Sequence, residues 1–327
     1  MENLLVTGGA GYIGGHVVRQ LSEAGYRPII FDNLSTGSRD TFIHGEELII
    51  SDLTDQARLE KTLRDYRITT VLHFAASIIA PQSVSLPLDY YGNNTCNTFR
   101  LLQACVRTGV EKFVFSSTAA VYGMPETGCA AEDSPPLPIN PYGTSKLMSE
   151  WMLRDVALAH GLRYVALRYF NVAGADPLAR MGQRIEEATH LIKVCCQSAL
   201  GKRPAVSVFG TDYPTPDGTG VRDYIHIEDL ASAHLAALAY LERGSDSTTL
   251  NVGYGRGSSV REVIEVVQRV SGVRFPVAEA PRRPGDPAIL VAKAERIRKV
   301  LDWAPRYDDL ETIVADAWRW EQKLALK

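Results

Sequence analysis

The sequence has few cysteines, little net charge and no long apolar run, and each scarcity excludes a class of protein. Its five cysteines form no Cys-x-x-Cys pair, and no histidine lies at zinc-finger spacing, so we expect neither a disulfide framework nor a metal site. A net charge of −3 provides no broad basic field for a nucleic acid or an anionic membrane. No apolar stretch approaches the roughly 18 residues of a membrane span, and the amino terminus lacks a cationic leader. We therefore expect a cytoplasmic protein.

The chain does have ample material for a buried core, since 45% of its residues are apolar and 22% are charged. This balance argues against disorder, and 327 residues exceed what one core usually supports. Apolar strand cores alternate with helical periodicity in the first half, which predicts an α/β, doubly wound parallel sheet (Rossmann fold) over residues 1–171. Residues 172–327 predict a smaller α/β substrate domain, with segments near 223–251 packing back on the first domain.

The periodicity also predicts where the elements lie, because strands appear as short apolar runs and helices as repeats near 3.6 residues. We expect strands at 4–6, 27–31, 47–50, 70–74, 112–115, 163–168, 206–209 and 249–252. We expect helices at about 12–24, 56–66, 83–108, 141–160, 185–200, 227–242, 260–270 and 308–323.

A glycine-rich turn lies between the first strand and the first helix. Gly8, Gly11 and Gly14 have the spacing of a dinucleotide-binding turn, and Asp32 ends the next strand. The glycines permit a tight turn, close approach of backbone N–H groups to a pyrophosphate, and close helix packing. A carboxylate at Asp32 suits ribose hydroxyls and repels a 2′-phosphate, so NAD is favoured over NADP. The alternative for the glycines is a plain strand-to-helix turn, and the alternative for Asp32 is a solvated turn carboxylate.

Other residues at strand ends and helix starts are expected to contact the dinucleotide. Asp52 and Leu53 would clasp the adenine, and Phe74, Ala75 and Ala76 would line the pyrophosphate, although both segments could equally be ordinary loop. The remaining expected cofactor contacts are Tyr12, Ile13, Asn33, Asn93, Ser116, Tyr142, Lys146 and Tyr169.

Three residues form a candidate catalytic set. Tyr142 and Lys146 are four residues apart, which places a phenol and an ammonium on one helix face, and Thr118 follows the strand at 112–115. A phenol acting as a base near neutrality must lose about three pKa units, or about 4 kcal/mol. A cation about 4 Å away supplies about that much at an effective dielectric near 20, so we expect Lys146 alone to be nearly sufficient. Thr118 would hydrogen-bond the reacting oxygen.

These residues carry a resemblance over nearly the whole chain to the extended short-chain dehydrogenase/reductase family, and within it to nucleotide-sugar epimerases. The resemblance implies that NAD removes hydride from C4 of a UDP-hexose while Tyr142 takes the hydroxyl proton. The 4-keto sugar then turns and receives the hydride on its other face, which interconverts UDP-glucose and UDP-galactose. The matching motifs are Thr7–Gly14, Asp52-Leu53, Tyr142–Lys146, Tyr169–Asn171, Asp217–Ile227 and Arg283–Asp286.

The resemblance also implies a site for the UDP-sugar substrate. Arg222 and Arg283 suit the diphosphate, Asp286 a ribose hydroxyl, and Asn171 the sugar side, although surface ion pairs are the alternative for the charged residues. Relatives confined to unmodified hexoses commonly carry a bulkier tyrosine at the position of Leu290, and those that accept N-acetyl sugars carry a smaller residue. Leucine is intermediate in size, so we hypothesise that N-acetyl sugars are accepted. The expected substrate contacts are Thr118, Tyr142, Asn171, Phe209, Arg222, Tyr224, Arg283, Asp286 and Leu290, with Phe209 equally open to a place in the core.

Two rival functions remain open. A nucleotide-sugar 4,6-dehydratase shares the fold and cofactor but places an Asp-Glu pair after the threonine, where this chain has Ala119-Ala120, so the elimination has no acid and base. A non-catalytic NAD-binding regulator would have no reason to retain Tyr142, Lys146 and Thr118 together. The helices at 83–108 and 141–160 resemble a four-helix dimer contact, so we expect a homodimer.

Overall fold

The protein is described by a computed structural model over residues 2–42, 44–185, 188–283 and 285–326. Its strands are β1 (Asn3–Thr7), β2 (Arg27–Asp32), β3 (Glu47–Ile50), β4 (Thr70–His73), β5 (Lys112–Ser116), β6 (Cys129–Ala130), β7 (Arg163–Tyr169), β8 (Asn171–Ala173), β9 (Val206–Phe209), β10 (Val221–His226), β11 (Thr248–Val252), β12 (Gly257–Ser259), β13 (Val277–Ala280) and β14 (Ile289–Ala292).

Helices separate most of these strands. They are α1 (Tyr12–Glu23), α2 (Gln56–Asp65), α3 (Ala80–Ser85), α4 (Pro87–Tyr90), α5 (Asn97–Thr108), α6 (Pro141–His160), α7 (Leu191–Ala199), α8 (Ile227–Glu242), α9 (Val260–Ser271), α10 (Glu295–Leu301) and α11 (Leu310–Ala325). Across the described ranges, no helix combines the length and the apolar content needed to cross a membrane.

The larger sheet contains seven strands of the described chain, in the order β11-β7-β5-β4-β1-β2-β3. The pairs β1–β2, β1–β4, β2–β3, β4–β5 and β5–β7 are all parallel. Strand order reverses at β1, which has β2 on one side and β4 on the other. Ligands of doubly wound folds bind at the carboxyl ends of the strands beside such a reversal. The predicted α/β class with a large parallel sheet is confirmed.

Two compact units can be distinguished in the chain. The first comprises Met1–Gly123, Pro136–Arg168 and Ala231–Leu250, and the second comprises Met124–Pro135, Tyr169–Leu230 and Asn251–Lys327. The second unit contains a five-stranded sheet, with β12-β10-β14-β6 in order and β8 paired to β10, and the two-stranded sheet β13-β9. The predicted domain boundary at 171/172 stays a prediction.

The core of the first unit is built from apolar side chains of the parallel strands and the helices against them. Leu5, Ile29 and Phe113 are 0% exposed and belong to one cluster with Leu101 of α5. Burying each such side chain contributes about 1.5–3 kcal/mol. In the second unit, Ala175 and Ala179 pack on Trp320 of α11.

Two predicted helices differ from the structure. The helix expected at 83–108 is interrupted after Ser85, because Pro87 cannot donate a backbone hydrogen bond and forces the preceding Leu86 out of the helical region, to φ −125° and ψ 54°. A π-helical segment, Tyr91–Cys96, then leads into α5. The helix expected at 185–200 begins only at Leu191, and part of its predicted first turn lies outside the described residues.

Helix α6, which carries Tyr142 and Lys146, has the bounds that the sequence predicts. The side chain of Asn140 accepts a hydrogen bond from the Gly143 backbone N–H at its start, and Pro141 occupies the first turn. Gly161 ends the helix at φ 73°, a left-handed conformation that glycine adopts without strain. These end signals fix the register of the helix and therefore the positions of its side chains.

Candidate active site

The glycine turn after β1 is closely packed backbone. Gly8 N–H donates to the Phe31 carbonyl at 3.0 Å, and Gly11 N–H donates to the Gly8 carbonyl at 3.2 Å. A Cβ at Gly8 would lie 2.5 Å from the Ala75 nitrogen, and one at Gly14 would lie 2.3 Å from the Gly8 oxygen. Only glycine fits these two positions. The turn therefore has the form of a backbone cradle at the start of α1, which suits a pyrophosphate.

Asp32 is buried and held in place at the end of β2. One carboxylate oxygen accepts from the Ala10 N–H at 3.0 Å and the other from the Leu34 N–H at 2.8 Å. Leu34 has φ 59°, a conformation that costs energy for a side chain of this kind and is concentrated at functional sites. A carboxylate fixed beside the glycine turn fits the ribose of a dinucleotide.

Of the expected cofactor contacts that follow Asp32, Asn33 and Asp52 form a polar pair and Leu53 lies in the core. Asn33 donates to Asp52 at 2.7 Å, so the structure brings these two together. Burial raises the pKa of Asp52, but hydrogen bonds from Thr54 and Asn33 outweigh it and hold the pKa below its ordinary value. Leu53 is 5% exposed and packs in the hydrophobic core of the first unit, so its side chain has a structural place.

Phe74 and the two alanines follow β4 beside the glycine turn. Phe74 N–H donates to the Thr7 carbonyl at 2.9 Å, and its ring lies 4.9 Å from the ring of His234. Ala75 packs against the core and approaches Gly8, while Ala76 is partly buried. Tyr12 and Ile13 lie in the first turn of α1, where both are partly buried. These positions are consistent with an expected cofactor-lining role for all five residues.

The π-helical segment carries a polar network that ties the loop after β4 to α6. Asn93 donates to the Ser77 hydroxyl at 2.9 Å. Asn94 accepts from the Ser77 N–H at 2.8 Å and donates to the Ser145 hydroxyl at 3.0 Å. The sequence predicted Asn93 and missed Asn94, whose side chain makes the link to α6. π-helical segments frequently occur at functional sites.

The three candidate catalytic residues come together at the carboxyl end of β5. Thr118 hydrogen-bonds the Tyr142 hydroxyl, and its own oxygen accepts from the Ala120 N–H at 3.1 Å. Because that oxygen is already an acceptor, its proton is available to Tyr142. Lys146 Nζ donates to the Ser116 carbonyl at 2.8 Å and lies 5.0 Å from the Phe115 ring centroid. Tyr142 and Thr118 are each 7% exposed and Lys146 is 3% exposed.

Burial controls the protonation of this set. It raises the pKa of Tyr142 to about 12, although the hydrogen bond from Thr118 acts in the opposite direction. It lowers the pKa of Lys146 to about 7, although the charge of Glu150 opposes the shift. The expectation that Lys146 alone brings the phenol pKa close to neutrality is therefore wrong for the polypeptide by itself. Loss of solvent is the largest influence on the phenol pKa.

In the second unit, the expected diphosphate and ribose residues form an ion pair. Arg222 Nη2 lies 2.5 Å from Asp286 Oδ1, and the two side chains are 15% and 35% exposed. Tyr213 donates to the backbone carbonyl of Asp286 at 3.5 Å. Leu290 is the Cα partner of Arg222 across the parallel β10–β14 pair. The structure therefore brings Arg222, Asp286 and Leu290 together.

The expected sugar-side residues are neighbours on the adjoining strands. Asn171 of β8 and Tyr224 of β10 are Cα partners, and Asn171 donates to the Asp223 carbonyl at 3.3 Å. Burial raises the pKa of Tyr224 above its ordinary value. Tyr169, an expected cofactor contact, ends β7 and is 9% exposed.

Asp223 is a residue that the sequence did not single out. Its buried carboxylate accepts from three backbone N–H groups: Tyr254 at 3.0 Å, Gly255 at 2.9 Å and Ala292 at 3.2 Å. Burial raises its pKa to about 6 in spite of these bonds. It ties β10 to β14, and its partners are distant in sequence, so no local pattern could have revealed it.

Phe209 and Arg283 are stacked. The Arg283 guanidinium lies 3.7 Å from the Phe209 ring centroid, and burial lowers the pKa of Arg283. Arg282 lies 4.2 Å from the ring of Tyr213, so successive arginines each cover an aromatic ring. Phe209 is partly exposed at the end of β9, which excludes a fully buried core position.

Comparison with known proteins gives the family. A model of the NAD dependent epimerase/dehydratase family matches residues 4–253. The chain is 56% identical to the UDP-glucose 4-epimerase of Azospirillum brasilense, over 98% of this chain and 92% of that protein. The chain belongs to this family, and within it to the UDP-glucose 4-epimerases. The resemblance drawn from the motifs is confirmed.

Solved structures of epimerases match throughout. The UDP-glucose 4-epimerase from Brucella ovis in complex with NAD is 43% identical, with a TM-score of 0.94 over 98% of both chains. The UDP-Glc/GlcNAc 4-epimerase of Campylobacter jejuni is 48% identical, with a TM-score of 0.87 over 99% of this chain and 100% of that one. The predicted NAD dependence is confirmed by the family, and the glycine cradle and Asp32 fit that cofactor.

Proposed function

We propose that this chain interconverts UDP-glucose and UDP-galactose at C4 of the hexose. The observation that carries the proposal is the buried Tyr142–Thr118 hydrogen bond beside Lys146, in a chain with alanines where a dehydratase places its acid and base. Bound NAD, held by the glycine turn and Asp32, would supply the hydride acceptor and donor for C4 of the hexose. The chain's own residues supply proton transfer and binding.

Tyr142 takes the proton from the C4 hydroxyl and later returns it. The single hydroxyl proton of Thr118, which goes to Tyr142 in the free protein, is donated to the reacting oxygen once substrate is bound, while the Thr118 oxygen keeps its bond from the Ala120 N–H. Lys146 holds the Ser116 carbonyl and provides positive charge close to the phenol when it is protonated. Because all three side chains are buried, water cannot compete for the transferred proton.

Residues of the second unit bind the nucleotide part of the substrate. Arg222 and Arg283 contact the diphosphate, since a guanidinium has five donors and Arg222 can retain its bond to Asp286. Asp286 binds a ribose hydroxyl and Phe209 lies near the uracil. Asn171, Tyr224 and Leu290 face the sugar with fewer polar contacts, which suits a keto sugar that must turn over between the two hydride transfers.

The two domains have separate roles, one in binding NAD and the other in binding the substrate. Residues 1–171 form the NAD-binding domain and residues 172–327 bind the UDP-sugar. This is supported by the glycine cradle and Asp32 in the first unit and by the grouping of Arg222, Asp286 and Leu290 in the second. The enzyme works in the cytoplasm, where its five free cysteines stay reduced.

Acceptance of N-acetyl sugars is part of the proposal. Leu290 is smaller than tyrosine, and the Campylobacter jejuni relative is named as acting on both UDP-Glc and UDP-GlcNAc. We expect turnover of UDP-N-acetylglucosamine. Activity restricted to UDP-glucose and UDP-galactose would remove this part and leave the rest.

The protein acts as a homodimer through α5 and α6. Large apolar side chains are exposed on these helices: Phe99 is 53% exposed, Trp151 48% and Leu158 83%. Exposed large apolar side chains mark an interface where they form one contiguous patch. A second copy with the same face would bury them in a four-helix contact.

One assay tests the proposed reaction. The purified protein is incubated with UDP-galactose and no added cofactor, and the product is identified by chromatography. UDP-glucose supports an epimerase with resident NAD, and a requirement for added NAD changes only how firmly NAD is retained. A 4-keto-6-deoxy sugar would indicate a dehydratase, and no turnover even with NAD would refute the proposal.

A further inference from the structure

A buried ion pair lies next to the candidate catalytic residues, and its one effect described so far is that the Glu150 charge opposes the lowering of the Lys146 pKa. Arg168 of β7 contacts Glu150 of α6 through Nε at 3.0 Å and Nη2 at 2.6 Å. The two side chains are 8% and 6% exposed. A buried pair of this kind is often no more stabilising than apolar residues of the same volume, so its contribution to folding alone is a weak reason for its presence.

The pair holds the chain on both sides of Thr118. Ser117 donates its hydroxyl to Glu150 Oε1 in a short hydrogen bond. Arg168 Nη1 donates to the Tyr122 hydroxyl at 3.0 Å, and its guanidinium lies 4.9 Å from the Tyr122 ring centroid. Thr118 lies between these anchors, directly before the 3₁₀ helix Ala119–Tyr122. The pair therefore restrains the segment that presents the Thr118 hydroxyl.

Glu150 also lies on the catalytic face of α6. Tyr142, Lys146 and Glu150 succeed one another at intervals of four residues, so each lies one turn beyond the last. The carboxylate is anchored to Arg168 on β7, which pairs with β5, the strand that ends at Ser116. One ion pair thus links the helix carrying Tyr142 to the strand end carrying Thr118.

We propose that the Glu150–Arg168 pair is a positioning device for the reaction, which sets the distance between the Thr118 and Tyr142 hydroxyls through Ser117 and Tyr122. The inference rests on the proposed function only in assigning chemistry to those two hydroxyls. Glu150 and Arg168 touch neither the proposed substrate nor the cofactor, and they position Thr118 through the segment they hold. A misplacement of about 1 Å at a reacting group can cost about a hundredfold in rate.

Single-hydroxyl deletions test this without removing the ion pair. Ser117→Ala and Tyr122→Phe each delete one anchor of the Thr118 segment. We expect kcat for UDP-galactose to fall about tenfold or more in each, with KM within about twofold of the wild type, because nucleotide binding is untouched. Glu150→Gln keeps an acceptor for Ser117 but removes the carboxylate charge, which also opposes the lowering of the Lys146 pKa. We expect it to lower both kcat and the melting temperature, and the two hydroxyl variants, which leave that charge in place, separate positioning from the effect on Lys146.

Another buried ion pair provides the matched control. Lys193 of α7 and Glu321 of α11 are 6% and 4% exposed, and neither is part of the proposed site. Glu321→Gln should lower the melting temperature as Glu150→Gln does, with kcat unchanged. If kcat falls equally in Glu321→Gln, the loss of activity in Glu150→Gln is explained by general destabilisation, and the inference is overturned.

A crystal structure of Ser117→Ala gives a readout that does not depend on activity. We expect the Thr118–Tyr142 separation to lengthen beyond hydrogen-bond reach, about 3.5 Å. Wild-type kcat in both hydroxyl variants overturns the inference while the proposed function stands. If the wild type itself has no turnover, the proposed function fails, and a retained Thr118–Tyr142 bond in the variant crystal overturns the inference separately.

Discussion

Replacing Lys146 by methionine should change how the stability of the protein depends on pH. Lys146 is 3% exposed, and burial lowers its pKa from the ordinary 10.5 to about 7. This shift of about 3.5 units corresponds to about 5 kcal/mol of unfavourable free energy for holding the ammonium in the folded protein. Methionine has no charge to bury and a similar length, so it removes this cost together with the bond to Ser116.

The sign of the change in stability with pH follows from proton linkage. Below pH 7, Lys146 is charged in both the folded and the unfolded protein, and the full cost is present. Between pH 7 and pH 10.5 the folded protein has released the proton while the unfolded chain still binds it, so stability rises with pH. The wild type should therefore gain about 4 kcal/mol relative to Lys146→Met between pH 6.5 and pH 10. The neighbouring His73 stays neutral in this range because burial lowers its pKa to about 3.

The measurement is the free energy of unfolding by guanidinium chloride for both proteins, freed of NAD, at several pH values between 6.5 and 10. The window ends at pH 10 because Tyr142, whose pKa is raised to about 12, begins to lower the stability of the folded state above it. Lys61→Met removes an exposed lysine of α2 and controls for the loss of a lysine as such. A constant difference between wild type and Lys146→Met across the window would refute the reasoning.

Three further predictions concern the proposed site and interface. Tyr142→Phe should lose orders of magnitude in UDP-galactose turnover while binding UDP normally by calorimetry; near-normal rates would rule out Tyr142 as the base. Leu290→Tyr should abolish turnover of UDP-N-acetylglucosamine with little loss for UDP-galactose, and a parallel loss of both would show that Leu290 does not select the sugar. Trp151→Glu, which places a charge on the exposed face of α6, should shift sedimentation from dimer to monomer; an unchanged dimer would locate the contact elsewhere.

The parts of the fold that local pattern could predict are those whose signals lie within a few residues. The bounds of α6 follow from Asn140 and Pro141 at its start and Gly161 at its end. The break at Pro87 was also visible locally, since the residue before a proline avoids the helical region, but the periodicity on both sides concealed it. Strands β10 and β14 pair with each other although they are far apart in the chain. A short window of sequence therefore could not predict either strand.

The same limit applies to the candidate site. Tyr142, Lys146 and Thr118 could be predicted because helical spacing and a strand end place them. Helical spacing also places Glu150 one turn beyond Lys146. Its role could not be predicted from spacing, because its partner Arg168 lies in another element. The expected pKa of Tyr142 was wrong for a related reason: spacing gives the distance between two groups and says nothing of how much solvent either retains.

The contrast in burial between the two groups of residues suits the proposed chemistry. Tyr142, Lys146 and Thr118 are less than a tenth exposed and are bonded to backbone or to one another, so we expect their positions to change little when a sugar binds. Asn171, Phe209 and Leu290 are partly exposed, and Asn171 has a long 3.3 Å contact. Epimerisation needs a fixed base that meets both faces of a sugar, and therefore a sugar that is free to turn. Rigid acid–base groups with looser sugar contacts meet both requirements, whereas equally tight contacts to the sugar would favour hydride return to the face it left.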